Sequence, residues 1–155
     1  MTITGHHIAH MNIARLRAMP GDALVAEFID NVPKVNAVAE RSPGFIWRLC
    51  DETARVSTDA NFEAVLGDPL LAVSLSVWET VDALRYFVKQ TVHGTFVRRR
   101  ESWFEPAKGP VYVIWPVPIG TVPTLTEGKA RLAHLAQHGP SDYAFDFAFQ
   151  PQPAE

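Results

Sequence analysis

Apolar residues follow two periods along this chain. From Ile8 to Leu16 they are broken by polar residues at intervals, the pattern of a strand with two unlike faces. Behind Asp22, the positions Leu24, Val25, Phe28, Ile29 and Val32 recur at helical spacing, which predicts a capped helix that Pro33 should kink or break before residues 35–39. Ser42-Pro43-Gly44 is turn chemistry, and the aromatic run Phe45–Leu49 predicts a second strand. Residues 51–68 are polar without a period and read as a long loop.

Leu70–Trp78 is the clearest strand, and Thr80 with Asp82 supplies the start of a second helix carrying Ala83, Leu84, Phe87 and Val88. Gly94 interrupts that helix, which is expected to resume at a slight bend over residues 95–104 and to end before Pro106. Val111–Trp115 predicts a fourth strand, closed by Pro116 and Pro118. Thr124-Leu125-Thr126-Glu127 matches a capping box for a third helix that ends at His138-Gly139-Pro140. Tyr143–Phe149 alternates as an edge strand would, and the tail 150–155 is expected to be disordered.

This order gives an α+β expectation: a ferredoxin-like βαββαβ antiparallel sheet with an extra C-terminal helix and strand, forming a single domain over residues 1–149. Both main helices should lie on one face. Two such sheets meeting through their bare faces would form a homodimer, a dimeric α/β-barrel with an enclosed cavity.

Strand alternation then sorts the candidate chemistry. Ser74, Ser76 and Trp78 share one face of the third strand, while Leu71, Val73, Leu75 and Val77 take the other, which is assigned to the helix side. Asn12 shares a face with His10 and Ala14, and Tyr112 points opposite to Val111, Val113 and Trp115. With His93, placed where Gly94 bends the helix, these residues describe an apolar pocket with a few hydrogen-bonding groups. The competing assignment has Asn12 and Tyr112 pairing with backbone in a dimer seam.

Within His93–Phe104, helical spacing puts Phe96, Arg100 and Trp103 or Phe104 on one side, while Arg98 and Arg99 point elsewhere, solvated or paired with Glu101 or Glu105. The expected site therefore has His93, Asn12, Trp78 and Tyr112 as catalytic residues and Ser74, Ser76, Phe96, Arg100 and Trp103 as substrate contacts.

Charge narrows the partners. Fourteen Lys and Arg against seventeen Asp and Glu leave a net charge of −3, the wrong balance for a nucleic-acid binder. Cys50 is the only cysteine, which rules out an internal disulfide and a CxxC site and suits a reducing cytoplasm. No apolar run approaches membrane-spanning length, so a soluble protein without a membrane partner is expected. His6, His7 and His10 lack ligand spacing and a nearby carboxylate, and the i, i+4 pair His134 and His138 lacks an HExxH context, so no metal is expected. Neither a phosphate-cradling Gly loop nor a GxSxG elbow occurs.

The segments HMNIARLR (10–17), SPGFIWRL (42–49), LSVWETVDALRYFV (75–88), HGTFVRRRESWF (93–104) and VIWPVPIGTVPTLTEGKARLAHLAQHGPS (113–141) together resemble the family DUF3291. The resemblance implies a dimeric α/β-barrel of the antibiotic-biosynthesis-monooxygenase-like superfamily, which also holds haem degraders, isomerases and plain ligand binders. Haem degraders of that superfamily use an Asn on the first strand, a Trp ending a middle strand and a His on the next helix, and Asn12, Trp78 and His93 occur here in that order. Three functions are therefore expected in turn. The first is a cofactor-independent monooxygenase or isomerase/cyclase acting on an aromatic or polycyclic small molecule. The second is a haem-binding or haem-degrading oxygenase with His93 as axial ligand. The third is a non-catalytic metabolite-binding module.

Overall fold

A computed structural model describes residues 4–49, 67, 68, 70–92 and 100–149, with backbone only at 91 and 92. Its elements are β1 (His6–Arg15), α1 (Ala26–Arg41), β2 (Phe45–Arg48), β3 (Leu71–Trp78), α2 (Val81–Val92), α3 (Arg100–Trp103), β4 (Tyr112–Pro118) and α4 (Leu125–His138). The strands form one open sheet in the order β2-β3-β1-β4, with every neighbouring pair antiparallel. The protein is thus α+β.

Local chemistry explains most boundaries. Asp22 organises a turn ahead of α1, its Oδ1 accepting from Leu24 N at 2.8 Å, and the helix itself begins at Ala26. The helix then runs through Pro33 to Arg41, so the expected break does not occur. Ser42 N bonds Ala39 O and Ser42 Oγ bonds Val38 O at 2.7 Å, which closes α1. Gly44 makes the turn into β2 at φ +85°, and a Cβ there would lie 2.5 Å from Ala83 Cβ, so only glycine lets this turn approach α2. Thr80 Oγ1 accepts from Ala83 N at 3.0 Å and starts α2. Thr124 caps α4 as the spacing predicts, its Oγ1 accepting from Glu127 N, while the Glu127 carboxylate, expected to complete a capping box, instead accepts from the Trp115 indole and Arg131. Pro116 and Pro118 fall inside β4, tolerated because β4 is an edge strand.

Both faces of the sheet are covered. Ile8, Trp78 and Ile114 pack against Ala39 of α1 and Val81 and Leu84 of α2. At the far end of that face, Leu16 packs with Val25, Trp103 and Phe104. On the opposite face Ala9, Met11, Leu75, Val77, Val113 and Trp115 pack against Leu125 and Leu135 of α4.

Two expectations are corrected here. The side carrying Ser76 and Trp78, expected to be bare, is the one under α1 and α2, because the aromatic rings of Phe45, Phe87 and Phe145 fill it. The apolar side is taken by α4, whose Gly128 admits Met11 and Trp115 at close range. Nor is there a terminal strand over Tyr143–Phe149: only Phe145 pairs, through an isolated bridge to Ile114. Asp146 bends the segment away, accepting from Ala148 N at its side chain and from Phe149 N at its carbonyl.

Candidate functional site

Register places the polar residues of the helix-covered face in two adjacent rows. In the first, Arg48 of β2 stands opposite Ser76, and Ser76 opposite His10. In the second, Asn12 stands between Ser74 on β3 and Tyr112 on β4. Directly opposed residues in antiparallel strands sit about 5 Å apart, so these side chains form one contiguous patch.

His10 lies at the centre, with 8% of its surface exposed. Burial lowers its pKa from 6.5 to about 4, so the imidazole is neutral at pH 7. Its ring lies 5.8 Å from Tyr112 and 6.5 Å from Phe147, rings that close the β4 side of the patch. Phe147 N donates to the Tyr112 hydroxyl at 3.2 Å, and Arg85 both donates to Phe147 O at 3.1 Å and stacks on its ring. The C-terminal segment thereby fixes the Tyr112 phenol.

On the β3 side the order is tighter still. Trp78 is fully buried, stacked on Phe87 at 4.9 Å and edge-on to Phe45 at 5.5 Å. Its indole N–H donates to Ser76 Oγ at 2.9 Å. Further along the strand the patch opens: Ser74 is exposed and Asn12 half-buried. Arg48 is held by Glu40 at 2.7 Å.

The structure therefore brings Asn12, Ser74, Ser76, Trp78 and Tyr112 onto one face, and it separates two others from them. Trp103 is 2% exposed in the core with Leu16, Val25 and Phe104, so its ring is packing and not a substrate wall. Arg100 lines a different cavity, a groove of about 870 Å³ whose wall also includes Ile13, Arg17, Leu71 and Phe104. His93 and Phe96, with nearly all of the long polar segment 51–68, lie outside the described residues.

Sequence reasoning missed two members of the patch. His10 was grouped with the terminal histidines, although its alternation with Asn12 already placed it on the same face. Arg48 was not legible: a register shift between Phe45 and Trp47 puts Phe45 and Arg48 on one side where plain alternation would oppose them.

Among the described residues no group of three or more His, Cys, Asp or Glu is arranged to hold a metal ion, and no helix is long and apolar enough to cross a membrane. What the fold and patch define is an α+β protein whose four-stranded antiparallel sheet carries buried polar side chains beneath its helices. Residues 7–155 match the model of the family described as Domain of unknown function (DUF3291), and the chain belongs to that family. Comparison with curated proteins finds no match. Among solved structures, the NE2512 protein of unknown function from Nitrosomonas europaea is similar at 8% identity and TM-score 0.48, over 77% of this chain and 95% of that one, too distant to bear on function.

Proposed function

We propose that the protein is an enzyme acting on an aromatic or polycyclic small molecule without a bound cofactor, as a monooxygenase or an isomerase/cyclase. The observation that supports this reading is a neutral, buried His10 beside Asn12 and Tyr112 on a patch that opens at Ser74. An imidazole whose pKa burial has lowered to about 4 is a weak base, but its N–H is a good hydrogen-bond donor to oxygen that gains negative charge. In this reading His10 and the Asn12 amide stabilise an enolate-like oxygen of the substrate, while Ser74 lies at the entrance. Deprotonating the substrate needs a base, and His93 remains the proposed one from sequence. For a monooxygenase the substrate itself would supply the electrons to dioxygen.

The strand order and the two crossovers through α1 and α2 support a ferredoxin-like topology. A homodimer of the barrel kind would have to use what α4 leaves half-exposed on the second face outside the Arg100 groove, Trp47, Leu49 and Val73. The proposed setting is cytoplasmic, in keeping with a single cysteine.

A second reading, a non-catalytic metabolite-binding module, is favoured by the internal bonds that already occupy Ser76, Trp78 and Tyr112. The haem alternative rests on the order Asn12, Trp78, His93 along the sequence, with His93 as the axial ligand. Turnover of a panel of aromatic phenols, quinols and cyclisable ketones separates the first two. A substrate whose conversion falls at least about tenfold in both Asn12→Ala and His10→Gln upholds the enzyme. Unchanged conversion in both variants defeats the assignment, and a retained ligand that is never converted favours the module.

A further inference from the structure

The groove that holds Arg100 lies apart from the polar patch and is built differently. After β1, the chain continues along the segment that follows α3: Arg17 N donates to Trp103 O at 2.8 Å, Leu16 bridges Phe104, and Glu105 N donates to Arg15 O at 2.9 Å. Its floor is apolar, with Ile13, Leu71, Phe104, Pro110 and Val111. Four cationic side chains line it, Arg15, Arg17, Arg100 and Lys108, against the carboxylates of Glu101 and Glu105.

These cations are not equivalent. Arg15 is spent within the protein, on Asp68 through Nε and on Glu105 through a terminal nitrogen, both at 2.7 Å. Arg17 is tethered through Nε alone, which donates to Glu101 O at 2.8 Å. Its two terminal nitrogens bond no other described residue, so the fork is held in place with its binding edge unused. Arg100 is exposed and forms no ion pair among the described residues. A guanidinium fixed by its inner nitrogen loses little freedom on engaging an anion, and a planar carboxylate matches its geometry.

We propose that this groove binds an organic monocarboxylate with an apolar body, the carboxylate on Arg17 and Arg100 and the body on Ile13, Leu71 and Val111. The volume of about 870 Å³ falls within the roughly 300–1,000 Å³ of small-molecule sites. Glu101 stands in the same wall and repels a second negative charge on the ligand, and with Arg15 neutralised by Asp68 and Glu105 the cationic surplus is small, which is why one negative charge is assigned.

The test is calorimetric titration of the full chain with 2-naphthoate and decanoate, each beside its neutral amide. The expected result is that at least one carboxylate binds about tenfold or more tightly than its amide, weakens with added salt, and loses about five- to tenfold in Arg17→Gln and in Arg100→Gln. Arg100 is exposed, so that variant should fold even if Arg17→Gln does not. No binding at about 1 mM, equal affinity for carboxylate and amide, or unchanged affinity in Arg100→Gln overturns the proposal. Asn12→Ala should leave this affinity alone; if it abolishes binding, the ligand sits on the polar patch and the groove is not its site.

Discussion

A Cβ built on Gly128 would lie 2.5 Å from Met11 Sδ and 3.3 Å from the Trp115 ring. This contact is how α4 reaches the sheet. Met11 and Trp115 are fully buried, and Trp115 is tied to the same helix by its indole N–H, which donates to Glu127 Oε1 at 2.9 Å. Gly128→Ala gains about 1 kcal/mol of helix propensity and loses about 1–3 kcal/mol to overpacking. The second effect should win, because both neighbours are fully buried, so a shift of Met11 to make space must displace other core atoms. Urea unfolding should show a net loss of about 1 kcal/mol, larger for Gly128→Val. Pairing Gly128→Ala with Met11→Ala should cost less than the sum of the two, since the space that one change removes the other restores.

The Trp78 indole and Ser76 hydroxyl form a second coupled pair. Ser76→Ala leaves a buried N–H without its partner and should cost about 1–2 kcal/mol. Trp78→Phe removes the N–H and shrinks a fully buried ring stacked on Phe87, at a cost of about 1–3 kcal/mol. The double variant should be scarcely worse than Trp78→Phe alone. Additive costs in denaturant unfolding would show that the bond contributes nothing in solution.

His10 makes stability depend on pH. Its folded pKa of about 4 lies below the ordinary 6.5, so between these values the unfolded chain binds the proton and the folded chain resists it. Stability contributed by the neutral imidazole is therefore complete above about pH 6.5 and lost as the pH falls toward 4. The span corresponds to about 3 kcal/mol as an upper bound. Unfolding at pH 7, 5.5 and 4.5 should show this decline in the native protein and a flatter profile in His10→Asn, and parallel profiles would contradict it.

Thr124 caps α4 through Glu127 N. Thr124→Ala should lower the midpoint of thermal unfolding through a loss of about 1 kcal/mol, while Thr124→Ser should retain most of the stability. Equal losses in both variants would assign the effect to the methyl group instead of the hydroxyl.

What could be read in advance was local. The N-cap at Thr124, the turn at Gly44, and β1 and β3 lie where the spacing puts them, because caps and alternation depend on residues a few positions apart, whereas β4 begins as expected but runs on through Pro116 to Pro118. Of the candidate site, the shared face of Asn12, Ser74, Ser76, Trp78 and Tyr112 was legible for the same reason. The membership of Arg48 was hidden by the irregularity in β2. The burial of Trp103 was hidden because its neighbours Leu16 and Val25 are distant in the chain.

The sequence by itself determined which residues lie side by side on a strand, which turns close, and that the balance of charge disfavours nucleic acid. Only the tertiary structure decided which layer covers each face. Periodicity makes two sides of a strand unlike, yet it does not say what will pack on them. That choice depends on whether distant shapes fit: Gly128 against Met11, the rings of Phe87 and Phe45 around Trp78, and Phe147 beside Tyr112. Those fits place His10 beneath the helices, while the packing of Leu16 with Trp103 and Phe104 sets Arg100 in a separate groove, so that residues expected in one pocket lie apart.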